Sequence, residues 1–410
     1  MKIELLGQVS DSIIHIISRK IGTDDFRSFM MNHSLPYSGS NVSRFYQFFN
    51  KTANRSTDER AQLQEELEEF VAHSLQFGQT RIIDEATFDL KPTPDSIEEI
   101  PAYRSTKNKS EFSFSKLLNF SVGKYFSLIY RVVDVDNVEK LSKITMCFAR
   151  KFTPIDTNDK AELVWIIIDF KNRTWQMRRD ARTGNRIDDK LASTSPQLFK
   201  YFRKILAGDY AISTEESSDQ QTLFKMFEHF TRMNEEEFSD VITKYDKQIQ
   251  SLCQGFLKEQ SIDPHVTTLK LDSQVRNLLL RMLISSKFER YEETQHNMEA
   301  SVRSFGFNAS EDTSLSAKSG PVRGYRSVEQ ISEFSIEHTA AYFDNRETIE
   351  QSQRLFLISL LWMKNSTGLD NDVLVKYIAY SGFTETHFQL YALKEEEYNV
   401  VFPKLEDYRI

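Results

Sequence analysis

Residues 165–186 read WIIIDFKNRTWQMRRDARTGNR, and the reading of this stretch decides the fold. Trp165 to Ile168 are apolar without a break, Asp169 to Arg173 are mostly polar, and Thr174 to Met177 alternate polar with apolar. An apolar run, a polar break and an alternating run are the pattern of a β-hairpin. The turn is expected around Lys171–Arg173, where Asn172 suits a positive-φ position. Successive strand side chains point to opposite faces. Trp175 and Met177 therefore share one side, with Thr174, Gln176 and Arg178 on the other.

The same signature extends upstream. YFSLIYRVVDV (125–135), ITMCFARKF (144–152) and AELVWIIIDF (161–170) are β-branched and aromatic runs separated by short polar connections. They predict three to five strands over residues 112–190, antiparallel because the connections are short. The flanks read as helix. STDERAQLQEELEEFVAHSLQFG (56–78) opens with Ser56 and Glu59 at capping-box spacing and then places Leu63, Leu67, Phe70 and Val71 on one face. SPQLFKYFRKILAGDY (195–210) is a basic amphipathic helix, and TIEQSQRLFLISLLWM (348–363) is expected as a buried central helix. Residues 301–326 read as a hairpin or loop. Runs of strands flanked by runs of helices, with no βαβ alternation, predict an α+β fold. It has a helical N-terminal region (1–100), a β-rich basic domain with a mainly antiparallel sheet (112–210) and a mainly helical C-terminal domain (221–410).

At 410 residues, 40% hydrophobic and 27% charged, the chain has the composition of a folded, soluble protein. The longest nearly pure apolar run, Leu355 to Met363, is far shorter than the roughly 20 residues of a membrane helix, so no membrane partner is expected. Cys147 and Cys253 are the only cysteines, which predicts a reducing compartment, the cytoplasm, with both thiols buried. The eight histidines show no zinc spacing, and no metal site is predicted from them. G-x-G-x-x-G, G-x-x-x-x-G-K-[ST] and G-x-S-x-G are all absent, which argues against Rossmann, P-loop and α/β-hydrolase chemistry.

The net charge of −8 hides an asymmetry, because residues 141–210 carry 14 Lys/Arg against 8 Asp/Glu. Guanidinium groups match phosphate oxygens in pairs, and an aromatic ring can stack on a base. Arg150, Lys151, Arg173, Trp175, Arg178, Arg179, Arg182 and Arg186 are therefore the candidates for contact with DNA or RNA, within a basic region spanning 150–204. The favoured expectation is a non-enzymatic binding protein that needs no cofactor.

Two alternatives stand beside it. Asp169 and Lys171 lie two apart, and on a continuous strand they would share a face, where a carboxylate and a lysine hold Mg²⁺ and polarise a phosphate. With Asp156 as second acid, this resembles the PD-(D/E)xK nuclease signature, which implies a metal-dependent nuclease. The match departs in having Asp169 where Glu is commoner and Ile155 in place of the proline. The other alternative is a subunit of an assembly or a homo-oligomer. Phe238, Ile242, Tyr245, Ile249, Leu252 and Phe256 are spaced four-three-four-three-four, a heptad seam for a protein partner.

Overall fold

The helical N-terminal region begins with local capping. In the computed structural model Glu59 N–H donates to Ser56 Oγ at 3.4 Å and Ser56 N–H donates to Glu59 Oε2 at 3.3 Å, the capping box read from the sequence. It opens α4 (Thr57–Phe77), preceded by α1 (Asp11–Ser18), α2 (Thr23–Asn32) and α3 (Asn41–Thr52). The structure describes residues 9, 11–77, 80–88, 94–106, 108–137, 140–152, 160–180, 194–216, 218–263, 271–287, 298–310, 313–319, 336, 339–389 and 394–409. Its residues divide into two compact units, 1–217 with 385–387 and 391–395, and 218–384 with 388–390 and 396–410.

In the first unit the strands are β1 (Thr80–Thr87), β2 (Phe114–Ser115), β3 (Ser127–Val135), β4 (Leu141–Phe152), β5 (Lys160–Asp169) and β6 (Thr174–Asp180). They lie in the order β2-β3-β4-β5-β6-β1, every neighbour antiparallel. The short helices α5 (Pro101–Thr106) and α6 (Lys109–Phe112) precede β2, and α7 (Ser195–Asp209) follows β6. Cys147 of β4 sits opposite Trp165 of β5, and both belong to one core with Ile17, Phe26, Phe45 and Leu67 of the N-terminal helices. On the other face Phe148 packs on Phe202 of α7, ring centroids 5.1 Å apart, and Trp175 stacks on Phe199 at 4.5 Å. Helices thus cover both faces of this sheet. That is why Val164 to Ile168 is continuously apolar rather than alternating.

The first hundred residues also contain β1, TRIIDEAT, inside a stretch that reads as helical. Its partner β6 is some ninety positions downstream (Ala86 faces Trp175), so no local turn signal marks the strand.

The second unit is built on α8 (Gln220–Thr243), α9 (Asp246–Glu259) and α10 (Leu271–Ser286), followed by β7 (Ala300–Ser310) and β8 (Thr313–Lys318). After these come α11 (Ala340–Ser352), β9 (Leu357–Trp362), α12 (Lys364–Thr367), β10 (Val373–Tyr380) and β11 (Phe383–Gln389), the last with residues 385–387 in the first unit. The short helices α13 (Glu395–Val401) and α14 (Pro403–Glu406) end the chain. β10, β9, β7 and β8 are successive antiparallel neighbours. Phe227 of α8 packs edge-on to Phe305 at 5.4 Å, and Phe230 to Trp362 at 5.6 Å, which fixes the face of this sheet that meets α8.

The helix expected over residues 348–363 does not form as one element. α11 ends at Ser352, Gln353 adopts a left-handed conformation (φ 50°), and Leu357–Trp362 forms β9. The run is buried on both strand faces, so its hydrophobicity carries no period that separates strand from helix. Among the described residues both cysteines are buried, and no helix is long and apolar enough to cross a membrane.

Candidate functional site

Residues 165–180 form the expected hairpin. Asp169 pairs with Thr174 at the end of β5–β6, and residues 170–173 make the turn. The positive φ falls on Arg173 (52°) rather than on Asn172. Asn172 contributes by hydrogen bonding instead: its backbone N–H donates to Asp169 Oδ1 at 2.9 Å and its Nδ2 to Asp169 Oδ2 at 2.8 Å. Both carboxylate oxygens of Asp169 are therefore engaged in closing the turn. Lys171 is exposed within the turn and has left the strand, so the two residues do not share a strand face. Asp156, the second acid of the nuclease reading, lies outside the described residues. Among the described residues no three His, Cys, Asp or Glu side chains group to hold a metal ion.

The basic residues are placed in two very different settings. Arg150, Trp175, Arg178 and Arg179 are all buried. Arg150 Nε meets Glu162 Oε2 at 2.5 Å, directly across β4–β5, and its guanidinium lies 4.2 Å from the Phe126 ring centre. Arg178 donates from Nε (3.1 Å) and Nη2 (2.9 Å) to Gln176 Oε1 and lies over Phe77, while Gln176 Nε2 donates to Glu85 Oε2 at 2.7 Å. Trp175 Nε1 donates to Thr214 Oγ1 at 3.0 Å. Lys151, Lys171 and Arg173 are exposed. Lys151 pairs with Ala161, eight positions along β5 from Asp169, which separates it from the hairpin tip by roughly 26 Å at about 3.3 Å per residue. Lys151 and the two tip residues thus stand at opposite ends of the strands and do not make one stripe. Arg182 and Arg186 lie outside the described residues.

Arg179 is the centre of a cluster that the sequence does not announce. Its Nε lies 3.5 Å from Asp84 Oδ2 and its Nη2 3.3 Å from Glu385 Oε2. Nη2 also donates to Ser195 Oγ, the first residue of α7, and that hydroxyl donates to Glu385. Asp84 is fully buried, and burial pushes its carboxyl up to about 7, against the pull of Arg179 and with the repulsion of Glu385. The only sequence signal is an acidic pair, Asp84-Glu85, inside the apolar frame of β1.

The heptad seam is also redistributed. The helix breaks at Lys244 and Tyr245, so α8 and α9 are separate. Phe238, Ile242 and Ile249 are buried, whereas Tyr245 (57% exposed), Leu252 (70%) and Phe256 (50%) face outward. α10 adds Leu278 (55%) and Met282 (60%), one turn apart on the side away from buried Leu280 and Ile284. Seven of the fourteen exposed large apolar side chains among the described residues fall between Tyr245 and Met282. Arg276 of α10 pairs with Asp246 of α9 at 2.9 Å, so the two helices are neighbours. A groove of about 480 Å³ beside Leu278, walled by Val275 and Phe343, separates α10 from α11.

No family model, curated protein or solved structure matches the chain.

Proposed function

We propose that the protein acts by binding, as a self-associating subunit whose α9–α10 face docks a second copy of the chain. The concentration of exposed apolar side chains on these two adjacent helices carries this reading, since monomers rarely leave such a surface uncovered. The rim supports a copy of itself as the occupant. α9 carries Asp246, Lys247, Lys258 and Glu259, and α10 carries Asp272, Arg276 and Arg281, so both signs are present and a two-fold arrangement meets no block of like charge. Two such helix pairs, face to face, make a four-helix packing.

Light scattering over a range of concentrations tests it. The parent chain is expected at twice the monomer mass, and Leu252→Glu with Met282→Glu is expected at monomer mass with an unchanged circular dichroism spectrum. A parent chain that stays monomeric at every concentration would refute the reading.

A second reading, contact with nucleic acid, is supported by Lys171 and Arg173, the exposed cations at the β5–β6 tip. It predicts retention on DNA or RNA that falls with salt, because neutralised phosphates release counterions. Lys171→Ala with Arg173→Ala is expected to weaken retention, and equal retention by that variant would count against it.

A further inference from the structure

One row of side chains crosses the second unit's sheet on the face opposite α8. Lys318 of β8 is in register with Ser304 of β7, Ser304 with Ser359 of β9, and Ser359 with Lys376 of β10. Phe305 meets α8, so its neighbour Ser304 points the other way. The two central hydroxyls touch, Ser304 Oγ donating to Ser359 Oγ at 2.7 Å or the reverse.

The row is bordered by an irregularity that adds a third cation. Between β7 and β9 the register slips from Val302–Leu360 to Ser304–Ser359, which makes Arg303 the extra residue of a β-bulge. Its carbonyl accepts from both Ser319 N–H and Ser319 Oγ, each at 3.0 Å, which fixes the bulge from β8's end. A bulge re-aims the side chain it inserts, and Arg303 lines the same cleft as Lys318 and Lys376 while only 1% exposed.

The cleft has a volume of about 270 Å³, and its described lining joins these three cations to Ser304, Ser316 and Ser359 without a carboxylate. Leu357 and Leu374 form its apolar part. Lys318 and Lys376 are three strand spacings apart, roughly 14 Å, so an occupant sits between them rather than on one alone.

We infer that this cleft is a binding site for a phosphate group, free or carried as the monoester of a small molecule. A phosphate dianion spreads its charge over several acceptor oxygens, and the lining presents a guanidinium, two ammonium groups and, beyond the proton spent between Ser304 and Ser359, two hydroxyl donors to meet them. A carboxylate has only two acceptor atoms for the same set. The volume exceeds the need of a bare phosphate, and the leucines give a small organic body an apolar wall.

Isothermal titration of the full chain with inorganic phosphate and with glycerol 3-phosphate tests this, with acetate and glycerol as controls. Saturable binding of either phosphate probe is expected, and the tighter of the two identifies a free or an esterified phosphate. Lys376→Ala is expected to weaken it about tenfold or more, with Lys376→Arg retaining most of the affinity. Should Lys376→Ala fail to fold, Lys318→Ala on the exposed β8 serves in its place, since its side chain is not part of a buried layer. Absence of binding by both phosphate probes, equal binding of acetate, or unchanged affinity in the folded lysine variant would each overturn the assignment.

Discussion

Arg179 Nε stands 3.5 Å from Asp84 Oδ2 in the interior of the first unit, the guanidinium almost wholly covered and the carboxylate entirely so. One guanidinium is shared between two carboxylates, since Glu385 Oε2 lies 3.3 Å from its Nη2. Burial raises the Asp84 carboxyl to about 7, Arg179 opposes that shift, and Glu385 adds to it. A carboxyl whose folded pKa lies above its unfolded one binds protons more tightly when folded. Its contribution to stability is therefore complete below the unfolded value near 3.8 and is lost as pH rises through about 7. Over that window the loss is on the order of 4 kcal/mol. Asp84→Asn, neutral throughout, is expected to flatten the pH dependence between about pH 4 and pH 7 relative to the parent chain. Thermal melts across that range check this, and parallel curves for parent and variant would contradict it.

The same cluster separates two arginines that look alike in the sequence. Arg179→Ala leaves two buried carboxylates without their shared cation, and is expected to cost about 3–5 kcal/mol. Arg173→Ala alters an exposed turn residue six positions earlier, and is expected to stay within about 0.5 kcal/mol. Denaturant titration of both variants at neutral pH gives the comparison. Similar losses for the two would mean that Arg179 is not held as the distances describe.

What was legible in the chain was what is local. The hairpin turn, the Ser56–Glu59 cap and the antiparallel strands between Ser127 and Asp180 follow from periodicity and neighbouring residues. The setting of the arginines is not local. Asp84 is 95 positions from Arg179 and Glu385 is 206, so a run of basic residues gives no hint that partners from distant strands will enclose it. β1 carries no local signal for the same reason, since its partner is β6. β9 was hidden differently, because a six-residue run buried on both faces reads equally well as helix. The heptad seam survived in spacing but not in continuity. The break at Tyr245 sends Ile249 inward and leaves Leu252 and Phe256 outside, a division that depends on how α9 packs.

Trp175 is held from two directions, and this makes its role measurable. Its ring stacks on Phe199 with centroids 4.5 Å apart and planes 20° from parallel, and its Nε1 donates to Thr214 Oγ1 at 3.0 Å, with both residues buried. Thr214→Val keeps the shape but strands the indole N–H in the interior, at an expected cost of about 1–3 kcal/mol. Trp175→Phe removes that donor along with part of the packing against Phe199. Once the donor is gone, the valine at 214 no longer opposes an unmet hydrogen bond. The double variant is therefore expected to lose less than the sum of the two single losses, by about 0.5–3 kcal/mol. Denaturation midpoints at constant slope give the three differences, and strictly additive losses would show that the indole and the hydroxyl do not act as a pair.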